Sequence, residues 1–221
     1  MQINDVTVYN AYDAISGIRF SHDSFDLFDS TAVVHDVVGY SDLNASIEYY
    51  NDIVLGENDK LLVQRLVKAG SSHRKFLRQI FVSMKLTAPI YLWKQLDTYK
   101  VATVRNSEST MHTITKYAFT ESDFDFTKDL NTDLVQFDVI VDQTIRTLNH
   151  LRNAYINTRD KRYWTMLIEL LPSSYLQTSI WTVNLETLLN IYDQRKTHKL
   201  KDWVMICDYI KAIFSRYSIE L

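Results

Sequence analysis

The stretch LPSSYLQTSIWTVNLETLLNIYDQRKTH, residues 171–198, carries strong local structural signals. Pro172 lacks the amide hydrogen that a helix interior needs, so we expect it to end a helix that begins near Arg159. Either Thr178 or Thr182 is expected to cap the next helix. The apolar side chains of that helix recur at helical spacing, at Leu185, Leu188, Leu189 and Tyr192. The stretch therefore predicts two successive helices.

The helical pattern continues on both sides of this stretch. A long helix is predicted upstream from the stripe of Phe137, Ile140, Val141, Ile145, Leu148 and Leu151. A last helix is predicted downstream from Leu200, Trp203, Cys207, Ile210 and Phe214. Between residues 121 and 133 the chain is acidic and polar, which indicates an exposed loop. Helices thus dominate the C-terminal half.

Strand signals lie mainly before residue 90. Val6 and Val8 alternate with polar residues, and the segment 30–40 is short and β-branched. The segment 80–86 alternates cleanly between apolar and polar side chains. Between these strands, a helix is expected from Asn58 or Asp59, as its cap, to Gly70. The sequence predicts one α+β domain over residues 1–221, with a small sheet mainly from the N-terminal half and long helices mainly from the C-terminal half.

Composition and short motifs argue against several functional classes. The formal net charge of -3 gives no reason to expect a general nucleic-acid binder. Cys207 is the single cysteine, which excludes an intrachain disulfide and predicts a reducing, cytoplasmic location. The N-terminus lacks a signal-peptide pattern, and no apolar run is long enough to span a membrane. The histidines are scattered without metal-binding spacing, so no metal site is expected, and no GxGxxG or P-loop pattern occurs.

Two polar segments are candidate ligand sites. In the segment 69–80, a basic cluster of His73, Arg74, Lys75 and Arg78 joins a predicted helix to a predicted strand. Such a cluster either holds phosphate groups or forms a solvated loop.

The second segment, KQLDTYKVATVRNSESTMHT at 94–113, has no apolar period of its own. Lys100 and Arg105 can neutralise an anion, and Glu108 and His112 can exchange protons. Four side chains can read a pyrimidine edge or a sugar: Asn106, Ser107, Ser109 and Thr110. A solvated polar loop is the alternative.

Three blocks, in the same order, resemble the flavin-dependent thymidylate synthase family. WKQ at 93–95 resembles the helix before the family's R-H-R motif, and NSESTMH at 106–112 resembles its N-E-x-S-x-R-Y motif. The opening stretch resembles the family's L-P, W-T-x-N-L-R and H-A-Q run. Its matching residues are Leu171, Pro172, Trp181, Thr182, Asn184, Leu185, Leu188, Arg195 and His198. More loosely, the basic cluster resembles the family's G-H-x-S-P-F-E-H turn.

The resemblance implies a homotetramer of α/β subunits with FAD at subunit junctions. It implies reductive methylation of deoxyuridylate (dUMP), with methylenetetrahydrofolate as the carbon source and NADPH as the reductant. Carried over by position, the implied catalytic residues are Ser109 and Arg195. The implied cofactor-binding residues are His73, Arg78, Tyr99, Lys100, Asn184 and His198. The implied substrate-binding residues are Gln95, Arg105, Asn106, Ser107, Ser109 and Arg195.

The chain departs from the family pattern at several charged positions, so the resemblance implies a divergent member with a degenerate motif. Thr98-Tyr99-Lys100 stands where the family has R-H-R, and Met111 replaces an arginine. Ser107 replaces a glutamate, Glu186 replaces the arginine of N-L-R, and Leu200 replaces a glutamine. Each lost arginine removes charge-assisted hydrogen bonds of roughly 1.5–3 kcal/mol. The candidate substitutes are Arg74, Arg78, Lys100 and Arg105. The alternative function is a non-catalytic nucleotide- or flavin-binding or assembly module that keeps the fold.

Overall fold

The structure is a computed structural model that describes residues 1–126 and 135–221. Within these residues, six strands form one mixed sheet in the order β2-β3-β1-β4-β6-β5. β3 pairs with β1 in parallel and with β2 antiparallel. The strands are β1 (Gln2–Tyr9), β2 (Thr31–Tyr40), β3 (Ala45–Val54), β4 (Phe81–Pro89), β5 (Thr103–Ser107) and β6 (Leu176–Asn184).

The α-helices of the described residues are longest in the C-terminal half. They are α1 (Ala11–Ser16), α2 (Glu57–Lys68), α3 (Ile90–Leu96), α4 (Thr110–Thr113), α5 (Val135–Thr158), α6 (Lys161–Glu169), α7 (Leu185–Arg195) and α8 (Lys201–Arg216). The predicted α+β class, with a sheet mainly from the N-terminal half and long helices after it, is confirmed.

Strand β4 shows why its prediction succeeded. Val82, Met84 and Leu86 are buried, while Phe81 and Lys85 on the opposite face are exposed. Because successive side chains of a strand point to opposite faces, this alternation is visible in sequence. The sequence did not reveal β3, and it did not reveal β5 or β6, which lie beyond the region where strands were mainly expected.

The predicted helix caps were wrong. Helix α7 is capped by Asn184, whose side chain accepts a hydrogen bond from the Thr187 amide, and not by Thr178 or Thr182. Both threonines lie within strand β6, so neither is at the start of the helix.

The cap of α2 comes from a distant part of the chain. Gly56 is the N-cap residue, and no side chain of the helix itself caps its amides. The Asp29 carboxylate instead accepts hydrogen bonds from the Asn58 and Asp59 amides, at 2.9 and 3.1 Å. Asp59 is not a cap because its own carboxylate is buried against Arg19.

This remote cap predicts a pH-dependent contribution to stability. The hydrogen bond from the Asn58 amide is the largest cause of a lowered pKa at Asp29. A lowered folded-state pKa stabilises the fold above the unfolded pKa, and that stabilisation is lost as the pH falls through the folded pKa. We therefore expect Asp29→Asn to lower the melting temperature relative to wild type at about pH 7, with a smaller difference at about pH 3. Thermal unfolding followed by circular dichroism measures both differences.

The control for this cap is Asp26→Asn, which changes an exposed carboxylate of the same segment. It should leave the melting temperature nearly unchanged at both pH values. A difference for Asp29→Asn that does not shrink on acidification would contradict the capping role.

The described chain divides into two compact units. Unit 1 comprises Met1–Gln2, Thr87–Asp97 and Ser107–Ser179, and unit 2 comprises Ile3–Leu86, Thr98–Asn106 and Ile180–Leu221. Unit 1 has an apolar cluster that joins α5 and α6 to the segment 114–124. Its buried members are Ile114, Phe119, Phe124, Leu148, Leu151 and Leu167. Of the predicted acidic loop 121–133, Glu121–Asp123 forms a short 3-10 helix, and residues 127–133 lie outside the described residues.

In unit 2, a buried ionic network anchors the end of α8 to strands β2 and β3. Arg216 donates to the Asp52 carboxylate at 2.9 Å and to Asp36 at 2.6 Å. Tyr217 donates its hydroxyl hydrogen to Asp52 at 2.9 Å, and Asp52 is 1% exposed. The Arg216 guanidinium also lies 5.0 Å from the centre of the Tyr49 ring. This network ties the C-terminal helix to the sheet.

Candidate functional site

The candidate site is centred on Arg195, in the last turn of α7. Its Nε donates a hydrogen bond to the Tyr99 hydroxyl at 2.8 Å, and that hydroxyl donates to Oε1 of Gln194 at 3.1 Å. Tyr99 is buried, so its hydroxyl is held in place by packing as well as by the two hydrogen bonds. The Tyr99 hydroxyl therefore fixes one edge of the Arg195 guanidinium.

Trp203 holds the face of the same guanidinium. The Cζ atom of Arg195 lies 4.8 Å from the centre of the Trp203 ring, and Trp203 is fully buried in α8. Tyr99 and His198 meet the Trp203 ring edge-on, with ring centres 6.2 and 6.1 Å away. A cation over an indole face is attracted by the ring quadrupole, so Trp203 both positions and stabilises the charge. The sequence analysis assigned Trp203 only to the apolar stripe of the last helix.

The charge of Arg195 is not neutralised by the chain. Among the described residues, no carboxylate lies within ion-pair distance of its guanidinium. The side chain is half-buried, so its cationic end is partly desolvated but reachable. A fixed, partly desolvated guanidinium can bind a phosphate, a carboxylate or an electron-rich ring edge through its remaining N–H groups.

The first turn of α7 is closed by contacts within unit 2. The Asn184 amide nitrogen donates to the Arg78 carbonyl at 3.3 Å, while its oxygen caps the helix. The Leu185 amide donates to the Ile80 carbonyl at 3.0 Å, and the Thr187 hydroxyl donates to the Val101 carbonyl at 2.9 Å. Because both ends of the Asn184 side chain are occupied, Asn184 here fixes the start of α7 against the segments that carry Arg78 and Tyr99.

An ion pair neutralises one residue of the basic cluster, Arg74. Arg74 binds Glu186 through both Nε and Nη2, at 3.0 to 3.3 Å, so its charge is balanced inside the chain. Arg78 is exposed, and its guanidinium donates to the Ser71 carbonyl at 3.0 Å. Arg74, a candidate substitute for the lost arginines, is therefore engaged by Glu186, the residue that replaces one of them.

His73 and Lys75 line a cavity of about 310 Å³ within unit 2. Ser21 and Ser72 add hydroxyl groups to the same cavity, and Phe76 contributes to its apolar surface. The side chains of His73 and Lys75 are both exposed. This arrangement suits a ligand with an anionic group and an apolar part.

The remaining predicted site residues fall in both units. In unit 2, Lys100 and Asn106 are exposed and Arg105 is half-buried. In unit 1, Gln95 is half-buried on α3, while Ser107 and Ser109 are exposed on either side of Glu108.

Of the predicted residues, the structure joins Tyr99, Arg195 and His198 in one cluster around Trp203. His198 is held by its Nδ1, which accepts a hydrogen bond from the Leu200 amide at 3.2 Å. Gln194 and Trp203 belong to the same cluster, and the sequence analysis missed both. The available signal was their place in the sequence, with Gln194 directly before Arg195 and Trp203 shortly after His198.

Two other kinds of feature are absent from the described residues. No group of three or more His, Cys, Asp or Glu side chains within residues 1–126 and 135–221 is placed to hold a metal ion. No helix in that part of the chain combines the length and apolar character needed to cross a membrane. The one cysteine, Cys207, is buried, and burial raises the pKa of its thiol.

No protein-family model and no curated protein matches the chain. Two solved structures of the flavin-dependent thymidylate synthase X of Helicobacter pylori, each with FAD and dUMP, match it over almost its whole length. They superpose with TM-scores of 0.63 and 0.60 at 17% and 18% identity. Each match covers 98% of this chain and 93% of the other. The chain therefore has the fold of the flavin-dependent thymidylate synthases, as the resemblance implied.

Proposed function

We propose that this chain is an FAD-dependent enzyme that methylates C5 of dUMP, or performs a closely related one-carbon modification of a pyrimidine nucleotide. Methylenetetrahydrofolate would be the carbon source and NADPH the reductant. The observation that carries the proposal is Arg195, a fixed guanidinium without a carboxylate partner among the described residues, within a fold shared with an FAD- and dUMP-bound enzyme.

The residues of unit 2 fit anionic ligands of this kind. FAD carries a diphosphate and dUMP a phosphate, so binding both requires several cations without internal partners. Arg195 is one such cation, and Lys100, Arg78 and His73 add exposed side chains. When bound, the flavin supplies the redox chemistry, so the protein needs no nucleophile of its own.

The roles of the chain's own side chains follow from their chemistry. Arg195 neutralises and orients the anionic or electron-rich edge of the nucleotide, while Trp203 and Tyr99 keep it in position. Arg105 and Asn106 are proposed to bind the nucleotide, and Gln95, Ser107 and Ser109 to orient it by hydrogen bonds. Tyr99, His198 and Asn184 are proposed to shape the flavin site, with His73, Arg78 and Lys100 facing its phosphates. A cytoplasmic homotetramer with sites at subunit junctions completes the proposal.

The alternative is a module that binds a nucleotide or flavin, or only assembles, without catalysis. The ion pair between Arg74 and Glu186 favours it, because the pair removes one cation from the basic turn and adds a carboxylate to the start of α7. Met111 and Ser107 likewise stand where the family motif is charged.

Flavin uptake followed by turnover tests the proposal. We expect the purified protein to retain or take up FAD, seen as flavin absorbance after gel filtration. Incubation with dUMP, methylenetetrahydrofolate and NADPH should then yield thymidylate, measured by mass spectrometry. Protein that stays colourless in excess FAD would contradict the proposed FAD-dependent enzyme, and it would also contradict a module that binds flavin. Bound flavin without any nucleotide product would favour the non-catalytic module.

A further inference from the structure

A second cavity, of about 330 Å³, lies within unit 1, and of the candidate site residues named above it contains Glu108. Its apolar surface includes Ile114 and Phe119, which are 3% and 6% exposed. Its polar wall includes Thr87 and Thr178, whose hydroxyl groups are hydrogen-bonded to each other at 2.8 Å. The volume of this cavity lies within the range of small-molecule sites.

The loop that forms one wall is pinned by two side chains of α5. Asn149 donates to the Phe119 carbonyl at 2.9 Å and accepts from the Phe119 amide at 2.8 Å. Arg152 donates to the carbonyls of Thr115 and Lys116, at 3.1 and 3.2 Å. These bonds satisfy the backbone of the loop, so contacts within the chain hold the wall in place. A preformed wall lowers the entropy cost of binding.

Glu108 and Tyr175 are among the polar side chains of this cavity that have no hydrogen-bond or ion-pair partner in the described chain. The Glu108 carboxylate accepts no hydrogen bond and pairs with no cation there, and the Tyr175 hydroxyl makes no hydrogen bond there. Burial raises the pKa of Tyr175, and the carboxylates of Glu108 and Asp123 raise it further, so the phenol remains a neutral donor. Asp123 is occupied, since its carboxylate accepts from the amide and hydroxyl of Thr120.

The charge at this cavity favours a cation over an anion. Two carboxylates, Glu108 and Asp123, line it against one ammonium group, on Lys116. Lys116 is exposed, and its flexible stem lets the ammonium group remain in water. The exposed ring of Tyr117, 82% accessible, stands at the same cavity and offers a face for a planar group or a cation.

We infer that this cavity binds a small planar aromatic cation of the arylamidine class, with Glu108 accepting from its N–H groups. An amidinium presents two parallel N–H donors, which match the two oxygens of a carboxylate. The Phe119 and Tyr175 rings meet edge-to-face, 6.2 Å apart, and supply aromatic surface for the ring of the ligand. The site is independent of the proposed methylation, because none of its side chains is assigned a role there.

Three matched probes test the charge preference on the full chain: benzamidine, benzamide and benzoate. They share one ring and differ in the charge of the attached group. We expect saturation-transfer NMR titrations to rank them with benzamidine the tightest, benzamide weaker, and benzoate the weakest. Glu108→Gln should weaken benzamidine about tenfold and leave benzamide nearly unchanged. Tyr175→Phe should weaken the binding of benzamide, because the variant lacks the phenol hydroxyl that can donate a hydrogen bond to the amide oxygen.

Glu169→Gln is the matched control, because Glu169 is an exposed carboxylate of unit 1 that does not line the cavity. Circular dichroism establishes that each variant is folded. The inference is overturned if no probe binds, if benzoate binds as tightly as benzamidine, or if Glu108→Gln and Glu169→Gln behave alike.

Discussion

Replacing Arg195 by glutamine is expected to weaken dUMP binding by about tenfold to a hundredfold. The change removes the charge and the N–H donors that Trp203 and Tyr99 hold in place. A charge-assisted hydrogen bond contributes roughly 1.5–3 kcal/mol, which corresponds to the stated range of affinity. Isothermal titration calorimetry of the purified chain with dUMP, in the presence of FAD, measures the loss.

Two further variants separate position from charge. Arg195→Lys keeps the positive charge but loses the planar fork that contacts Tyr99 and Trp203, so an intermediate loss of affinity is expected. Arg65→Gln, at an exposed position on α2, is the matched control and should leave affinity unchanged. Equal affinities for wild type and Arg195→Gln would remove Arg195 from the nucleotide site.

Replacing Asp52 by alanine is expected to lower the free energy of unfolding by about 3–5 kcal/mol. Asp52 is buried and accepts hydrogen bonds from both Arg216 and Tyr217, so its removal leaves a guanidinium and a phenol without their shared partner. Asp36 still pairs with Arg216, but it lies on the more exposed side of the network. Urea denaturation followed by tryptophan fluorescence measures the change.

Asp42→Ala is the control for this prediction. Asp42 is an exposed aspartate just after β2, and its removal should change the free energy of unfolding by less than about 0.5 kcal/mol. If Asp52→Ala destabilised the protein no more than Asp42→Ala, the network would not be what anchors α8 to the sheet.

Periodic elements were predictable because burial repeats with the period of the local structure. The alternation in β4 and the helical stripes of α7 and α8 each reflect one buried face, which the sequence displays directly. Strand β3 was missed although Ile47 and Tyr49 are buried on one face, because charged and polar residues interrupt the rest of its pattern. The caps were missed for another reason. Asp29 reaches α2 from a separate segment, and local spacing carries no record of such a contact.

At the candidate site, motif order led to Arg195, Tyr99 and His198, which the structure places around one indole ring. It did not reveal Trp203, because a tryptophan in an apolar stripe is usually a packing residue. It also did not reveal that Glu186 pairs with Arg74, since these residues are far apart in the chain. Whether a cation is free or neutralised depends on which carboxylate lies beside it, and that depends on tertiary contacts.

The sequence by itself determined the α+β class, the principal C-terminal helices and the position of the cation that centres the candidate site, since each is carried by local spacing or by a short motif. Only the tertiary structure decided which charges remain available. It pairs Arg74 with Glu186 and Arg216 with Asp52, leaves Arg195 stacked on Trp203, and leaves the Glu108 carboxylate without a partner in the described chain. The physical reason is range: helix and strand periods act over a few residues, whereas ion pairs join residues that only folding brings together.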